Sequence, residues 1–237
     1  MSSARIELEP GWLLSQKPYR ETSELLEVLT LRHGRVGLVA RGLRGPRARQ
    51  RGIVGLFRPL LLSWLEKGEL GTLTAVEADG PEMLLPGERL IHGWYLNELL
   101  LKLLQRHDPH PDLLANYIVA VRCLSSDTTT AAEAALRIFE KRLLDQLGYG
   151  LPLDASIDAQ ACFQFRPGQG FVRCAAGDRG ALAGSSLLAL QREELSTQTE
   201  RDDARRLMRA ALEPHVPRAS LRTPGLLREL RALGART

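Results

Sequence analysis

The sequence predicts a multidomain α+β protein, in which a small N-terminal β-barrel precedes a helical bundle with a short inserted β module. Three observations lead to this fold class. The first eighty residues contain short apolar runs separated by turn signals, which is typical of small barrels. Residues 86–148 change to helical periodicity. Residues 151–185 return to short β-like segments, after which helices resume.

Five apolar segments predict the barrel strands, at residues 12–15, 23–31, 35–41, 57–65 and 70–76. Turn signals at Pro18, at His33-Gly34 and at Lys67-Gly68 separate several of these segments. The stretch 24–29 also fits a helical period, so a short helix is an alternative there. We interpret the aromatic residues Phe57 and Trp64 as core residues; the alternative is that their rings are exposed stacking platforms.

Apolar residues at helical spacing predict the beginning of the bundle. Helices are expected at 90–104 and 113–124. A third helix is expected to begin at a capping box formed by Thr130 and Glu133. Gly148 is expected to end it, because glycine adopts the left-handed conformation of a C-cap at little cost.

The segment after Gly148 predicts the inserted β module and the remainder of the bundle. Phe163 and Phe165 alternate with polar residues, residues 167–170 form a turn, and 171–173 return as a second strand. Two such strands are marginal alone and need support. Helices are then expected at 187–194, 200–212 and 224–233. We interpret Asp202 and Asp203 as caps at a helix start.

The charge of the barrel region is concentrated in one stretch. Residues 34–58 contain seven arginines and no acid. The stretch begins as a strand and continues into a loop, 42–52, that glycine and proline interrupt. Such a basic loop suits a polyanion whose backbone is bound without a fixed sequence. The alternative is a solvated loop that only aids solubility, although solvated surfaces usually mix both signs.

Composition narrows the class of protein. The net charge is +4, with basic ends and an acidic middle. The sequence lacks an apolar run of the ~18 residues that a membrane span needs and a signal-peptide core. We therefore expect a cytoplasmic protein. The three cysteines, Cys123, Cys162 and Cys174, form neither a disulfide framework nor a C-x-x-C motif. We interpret Cys123 as a buried thiol.

Motifs that carry catalysis are missing from the sequence. None of the four lysines precedes Ser or Thr, so there is no P-loop, and neither G-x-G-x-x-G nor G-x-S-x-G occurs. His107, His110 and Asp112 have the residue types of a metal cluster, but their prolines and position between two helices favour a plain loop. We expect no enzyme activity, no catalytic residue and no cofactor.

The order of features resembles the RecO family of bacterial recombination mediators. The residues that carry the resemblance run along most of the chain, and the last forty residues match weakly. They are Glu21-Thr22-Ser23, Gly34-Arg35-Val36, Val39-Ala40-Arg41-Gly42, Pro59-Leu60, Gly68-Glu69-Leu70 with Thr72-Leu73, Tyr95 with Asn97-Glu98-Leu99-Leu100, Leu136-Arg137 with Phe139-Glu140, Leu143-Leu144 and Leu147-Gly148-Tyr149.

The resemblance implies an N-terminal OB-fold barrel, a helical domain and a small zinc-binding module inserted in it. The OB-fold domain would span 1–80 and the β insert 153–185, with the helical domain divided into 81–152 before the insert and 186–237 after it. The family's paired C-x-x-C motifs would fall at Ser156, Ala159, Cys174 and Gly177, where only Cys174 matches. Structural zinc takes four N or S ligands. We therefore expect a degenerate, zinc-free module held by packing of its phenylalanines.

The resemblance also implies an activity on DNA. RecO proteins bind single- and double-stranded DNA, anneal strands coated with single-strand-binding protein, and help RecR to load RecA. The implied location is the cytoplasm, in association with the nucleoid. The arginines expected to bind the phosphates are Arg35, Arg41, Arg44, Arg47, Arg49 and Arg51. The arginines of 201–209 either extend this path or form a solvated helix face.

A site for the tail of single-strand-binding protein is implied as well. That tail is acidic and ends in an apolar residue with a free carboxylate, so its receptor needs cations beside an apolar pocket. The residues expected to form it are Arg122, Arg137, Phe139, Lys141 and Arg142, with Arg137 first. The alternative for each is a solvated charged edge. The alternative for the whole chain is an OB-fold RNA-binding or protein-bridging scaffold without annealing activity.

Overall fold

The computed structural model describes residues 4–43, 52–125, 129–154 and 156–234. The chain divides into two compact units, Met1–Ala115 and Asn116–Thr237. None of the helices within the described ranges is long and apolar enough to cross a membrane.

Five strands of the first unit close into a barrel. They are β1 (Arg5–Tyr19), β2 (Ser23–Thr30), β3 (Gly34–Ala40), β4 (Pro59–Leu65) and β5 (Leu70–Ala78). Their order around the barrel is β1-β2-β3-β5-β4, and β1 also pairs with β4. β3 and β5 run parallel. This is a five-stranded OB-like barrel, so the predicted fold class is confirmed, and the alternative of a helix at 24–29 is wrong.

The barrel interior is filled by the apolar residues that alternate along its strands. Leu26 and Val28 of β2 and Leu38 of β3 have no exposed surface or almost none. Because successive side chains of a strand point to opposite faces, this alternation directs one set inward. Trp64 lies fully buried among them and Phe57 is buried as well, so both are core residues, as expected.

A segment after the first helix covers a portion of the outer face of the barrel. α1 (Glu88–Leu103) contacts β1, where the side-chain amide of Asn97 donates to the carbonyl of Leu14 at 3.0 Å. The chain then crosses β3, and the amide of His107 donates to the carbonyl of Arg35 at 3.0 Å. Gly34, with φ +64°, fits only because it has no side chain, since a Cβ would lie 2.2 Å from the Asp108 carbonyl oxygen.

The second unit begins within α2 (Pro111–Ser125) and continues with α3 (Thr129–Gln146). α3 already includes Thr129, so the prediction that Thr130 caps it is wrong. Its predicted end is confirmed. Gly148 has φ +80°, and the amides of Gly148 and Tyr149 donate to Asp145 and Leu144 at 3.1 and 2.8 Å. This pattern is a Schellman C-cap.

The inserted module is a three-stranded sheet in the order β7-β6-β8. Its strands are β6 (Cys162–Arg166), β7 (Gly170–Cys174) and β8 (Leu182–Ala183). Phe163 is buried, and the rings of Phe165 and Phe171 pack with centroids 5.4 Å apart. Among the described residues no three His, Cys, Asp or Glu side chains are grouped to hold a metal. The residues present therefore do not fit the zinc site that the resemblance implies.

Four further helical segments follow the module: α4 (Gly184–Arg192), α5 (Gln198–Leu212), a 3-10 turn (Arg218–Ser220) and α6 (Thr223–Gly234). Thr197 and Glu200 form the capping box of α5, so the prediction that Asp202 and Asp203 cap it is wrong. Asp203 is buried and accepts a hydrogen bond from the amide of Ala183 at 3.0 Å, which joins α5 to β8. Cys123, expected to be buried, is partly exposed.

Candidate functional site

The arginine-rich loop leaves the barrel at the end of β3 and returns before β4. Arg41 follows β3 directly and is exposed. On the returning side, the guanidinium of Arg58 donates to the carbonyls of Gly52 and Ile53 at 2.9 and 3.3 Å and pairs with Glu82 at 3.0 Å. The remaining predicted phosphate contacts of the loop lie outside the described residues, and their role stays a prediction. These are Arg44, Arg47, Arg49 and Arg51.

Arg35, the first arginine of the predicted DNA path, makes internal contacts. Its side chain is 17% exposed and lies 3.8 Å from the carboxylate of Glu27. Its guanidinium also donates to the carbonyl of Leu101, and Arg106 pairs with the same Glu27. Burial lowers the pKa of Arg35, the charge of Glu27 opposes this, and Arg106 adds to it. These bonds join the end of α1 and the segment after it to the barrel strands β3 and β2, and they count against a direct contact of Arg35 with DNA.

The structure brings a second basic element to the end of the barrel where the arginine-rich loop begins. Tyr19 pairs with Ser23 across the β1–β2 hairpin, and Glu24 at the start of β2 pairs with Ala40 at the end of β3. The hairpin end, which carries exposed Lys17 and Arg20, therefore lies next to Arg41. Sequence reasoning missed these two cations because they stand apart from the arginine-rich stretch. The available signal for them was their position beside the turn that joins two predicted strands.

On α3, two of the predicted partner residues converge on one carboxylate. The Lys141 ammonium lies 3.0 Å from Glu193 Oε1, and the Arg142 Nε lies 3.0 and 3.1 Å from the two carboxylate oxygens. Asn116 accepts a further hydrogen bond from Arg142 at 2.7 Å. Burial would raise the pKa of Glu193, but the hydrogen bonds and charges of Arg142 and Lys141 outweigh it and lower that pKa. Glu193 and Asn116 were missed because they are distant in sequence.

The other predicted partner residues do not join this cluster. Arg137 is 13% exposed and pairs with Glu140 at 3.2 Å within the same helix. Phe139 is 1% exposed and packs edge-on against Tyr117 with ring centroids 6.4 Å apart, so its ring belongs to the core. Arg122 is exposed near the end of α2. The burial of Phe139 counts against its direct contact with a partner.

The arginines of α5 are mostly occupied by neighbouring groups. Arg201 is buried and donates to the carbonyls of Leu195 and Ser196 at 3.2 and 2.7 Å. Arg205 pairs with Asp202 at 2.6 Å, and Arg206 pairs with Asp203. Arg209 is exposed. This arrangement favours a structural helix face over an extension of the DNA path.

Comparison with known proteins covers nearly the whole chain. The family model for the N-terminal domain of recombination protein O matches residues 4–80, and the model for its C-terminal domain matches residues 86–224. The DNA repair protein RecO of Coxiella burnetii strain CbuG_Q212 is 42% identical over 230 residues, which cover 94% of this chain and 98% of the relative. The RecO proteins of Halorhodospira halophila and Thiobacillus denitrificans are 40% and 39% identical, over 94% and 98% of this chain and 97% and 95% of those proteins. The chain therefore belongs to the RecO family of DNA repair proteins.

Proposed function

We propose that this protein binds single- and double-stranded DNA and anneals complementary strands coated with single-strand-binding protein. With RecR it promotes the loading of RecA, and it acts in the cytoplasm at the nucleoid without a cofactor. One observation carries the proposal within this family: an OB-like barrel whose β3–β4 connection is rich in arginine and free of acid. Arginine binds phosphate in a bidentate manner.

Annealing by such a protein is a physical process rather than a catalysed reaction. Two strands repel each other through their phosphates, and cations that neutralise the phosphates lower this repulsion. Base pairing then supplies the free energy. The loop reads no bases in this proposal, so binding depends strongly on salt and weakly on sequence.

We place the site for the tail of single-strand-binding protein at the Lys141–Arg142 cation pair. This pair already holds the carboxylate of Glu193 through charge-assisted hydrogen bonds, so its geometry suits a carboxylate. In the proposal, the terminal carboxylate of the tail exchanges with Glu193. Arg122, which is exposed, remains as a cation that attracts the acidic tail, whereas Arg137 is paired with Glu140.

The first experiment is strand annealing with three proteins: wild type, the triple variant Arg44→Ala/Arg47→Ala/Arg49→Ala, and Arg142→Ala. We expect the triple variant to anneal neither bare nor coated strands, because it lacks the arginines that bind the phosphates. The slope of log affinity against log salt should become shallower by roughly one for each contact removed. We expect Arg142→Ala to fail only on coated strands.

A charge-matched control separates a specific loop effect from a loss of net charge. The triple variant Arg166→Ala/Arg173→Ala/Arg192→Ala removes three exposed arginines of the second unit, and it should anneal like wild type. If wild type anneals neither bare nor coated strands, the proposal is wrong. Tighter binding to RNA than to DNA would then favour the RNA-binding scaffold.

A further inference from the structure

One aromatic ring of the barrel differs from the others in its exposure. Residues 1–80 contain four aromatic residues. Trp12, Phe57 and Trp64 are buried. Tyr19, at the end of β1, is only partly buried. An aromatic ring at the surface of an OB-like barrel offers a face on which a nucleic-acid base stacks.

The side chain of Arg20 lies over the ring of Tyr19. Its guanidinium carbon lies 5.3 Å from the centroid of the Tyr19 ring, within the range of a cation–π contact. Arg20 also has φ +53°, in the left-handed region. A non-glycine residue there costs roughly 1–2 kcal/mol, and asparagine is tolerated better. The turn itself therefore does not require an arginine.

Tyr19 and Arg20 lie beside other basic side chains that can bind a polyanion. Lys17 is two residues before Tyr19 on β1, so their side chains share one face of the strand. The strand pairings place this hairpin end beside Arg41, where the arginine-rich loop begins. Glu21 and Glu24 lie at the same end, against three cations among the described residues, Lys17, Arg20 and Arg41.

We infer that the β1–β2 hairpin end is a stacking site for one unpaired base, with Tyr19 and Arg20 as its platform and Lys17 and Arg20 on the flanking phosphates. This inference rests on the proposed DNA binding and adds a preference for single strands. A paired base cannot reach the ring without leaving its stack, so duplex DNA is bound only through phosphates. The site holds an unpaired strand during the search for its complement.

The test compares Tyr19→Leu, Tyr19→Phe and Arg20→Asn with wild type. Binding to a single-stranded oligonucleotide that contains 2-aminopurine and to the matching duplex is measured by anisotropy over a range of salt concentrations. The fluorescence of 2-aminopurine is recorded as well, because stacking on a ring quenches it. Tyr19→Phe is the matched control, since it keeps the ring and removes the hydroxyl.

We expect Tyr19→Leu to weaken single-strand binding by roughly fivefold or more, the effect of losing one stacked base. Duplex affinity and the salt slope should not change, the 2-aminopurine quench should be lost, and Tyr19→Phe should bind within about twofold of wild type. Arg20→Asn should lower the salt slope by about one, with unfolding no easier than in wild type because the left-handed strain is relieved.

Two results would overturn the inference while leaving the proposed DNA binding intact. One is single-strand affinity unchanged by Tyr19→Leu, with normal salt-dependent binding. The other is an equal loss of single-strand and duplex affinity in Tyr19→Leu, which would indicate a general disturbance of the hairpin. If wild type binds neither DNA, the proposed function itself fails.

Discussion

Replacement of Gly34 by alanine tests whether the segment after α1 packs on β3. Gly34 has φ +64°, and an added Cβ would lie 2.2 Å from the Asp108 carbonyl oxygen and 2.4 Å from its carbon. Both atoms are backbone, so no side-chain rotation relieves the clash. The covering segment must move, and the hydrogen bond from the His107 amide to the Arg35 carbonyl is lost.

The magnitude follows from these two effects. A non-glycine residue in the left-handed region costs roughly 1–2 kcal/mol, and a lost hydrogen bond costs about 0.5–1.5 kcal/mol net. The displaced packing adds to this, and the lower entropy of the unfolded alanine chain offsets about 0.4–1 kcal/mol. We expect Gly34→Ala to destabilise the first unit by about 2–3 kcal/mol. With a urea m-value of about 1–3 kcal/mol/M, the midpoint should fall by roughly 0.7–3 M.

Gly68→Ala is the matched control. Gly68 has φ +67°, yet nothing lies within 4 Å of its Cβ position, so this change carries the backbone strain without the clash. Intrinsic tryptophan fluorescence suits the assay, because all three tryptophans lie in the first unit, Met1–Ala115. If Gly34→Ala lowers the midpoint no more than Gly68→Ala, the covering segment does not pack on β3 as described.

Four further predictions concern the second unit. Glu193→Gln should bind an acidic tail peptide severalfold more tightly, because the internal carboxylate no longer competes. The pKa of Glu193 is lowered from its ordinary value of 4.5. The ionised carboxylate therefore stabilises the fold fully above pH 4.5, and this contribution is lost as the pH falls through the lowered pKa. The urea midpoint of wild type should accordingly fall more steeply in acid than that of Glu193→Gln. Thr197→Ala removes the capping box of α5 and should cost about 1 kcal/mol in urea unfolding, and a Thr197→Ser variant that unfolds as easily would contradict this. Cys162 and Cys174 are direct partners across β6 and β7, where Cα atoms lie about 4.5–5.5 Å apart, within the range of a disulfide. Incubation with glutathione disulfide should therefore leave one titratable thiol of the three cysteines. Three remaining thiols would refute the pairing.

Local patterns were sufficient for most of the fold. The strands around Leu26, Leu38 and Trp64 were predictable because burial of one face imposes a period of two on the sequence. The end of α3 was predictable because Gly148 is suited to a left-handed cap. The start of the same helix was not, since Thr130 matches a capping box by residue type alone, and helix ends vary by one or two residues.

The candidate site was also predictable only where it depends on neighbouring residues. The concentration of arginine in 34–58 is visible in the sequence because it is a property of neighbouring residues. The sequence did not distinguish Arg41, which is exposed, from Arg35, which is bound to Leu101 and near Glu27. That distinction depends on a residue of α1, Leu101, that lies far from Arg35 in the sequence.

The sequence by itself determined that this chain forms a small β-barrel with a basic connection, followed by helices with a small β insert. It did so because periodicity, turn residues and charge are local. Only the tertiary structure decided that Glu193 occupies the cations of α3 and that Tyr19 lies at the arginine-rich end of the barrel. Such contacts join residues distant in sequence, and hydrogen bonds and ion pairs between them leave no periodic pattern in the chain.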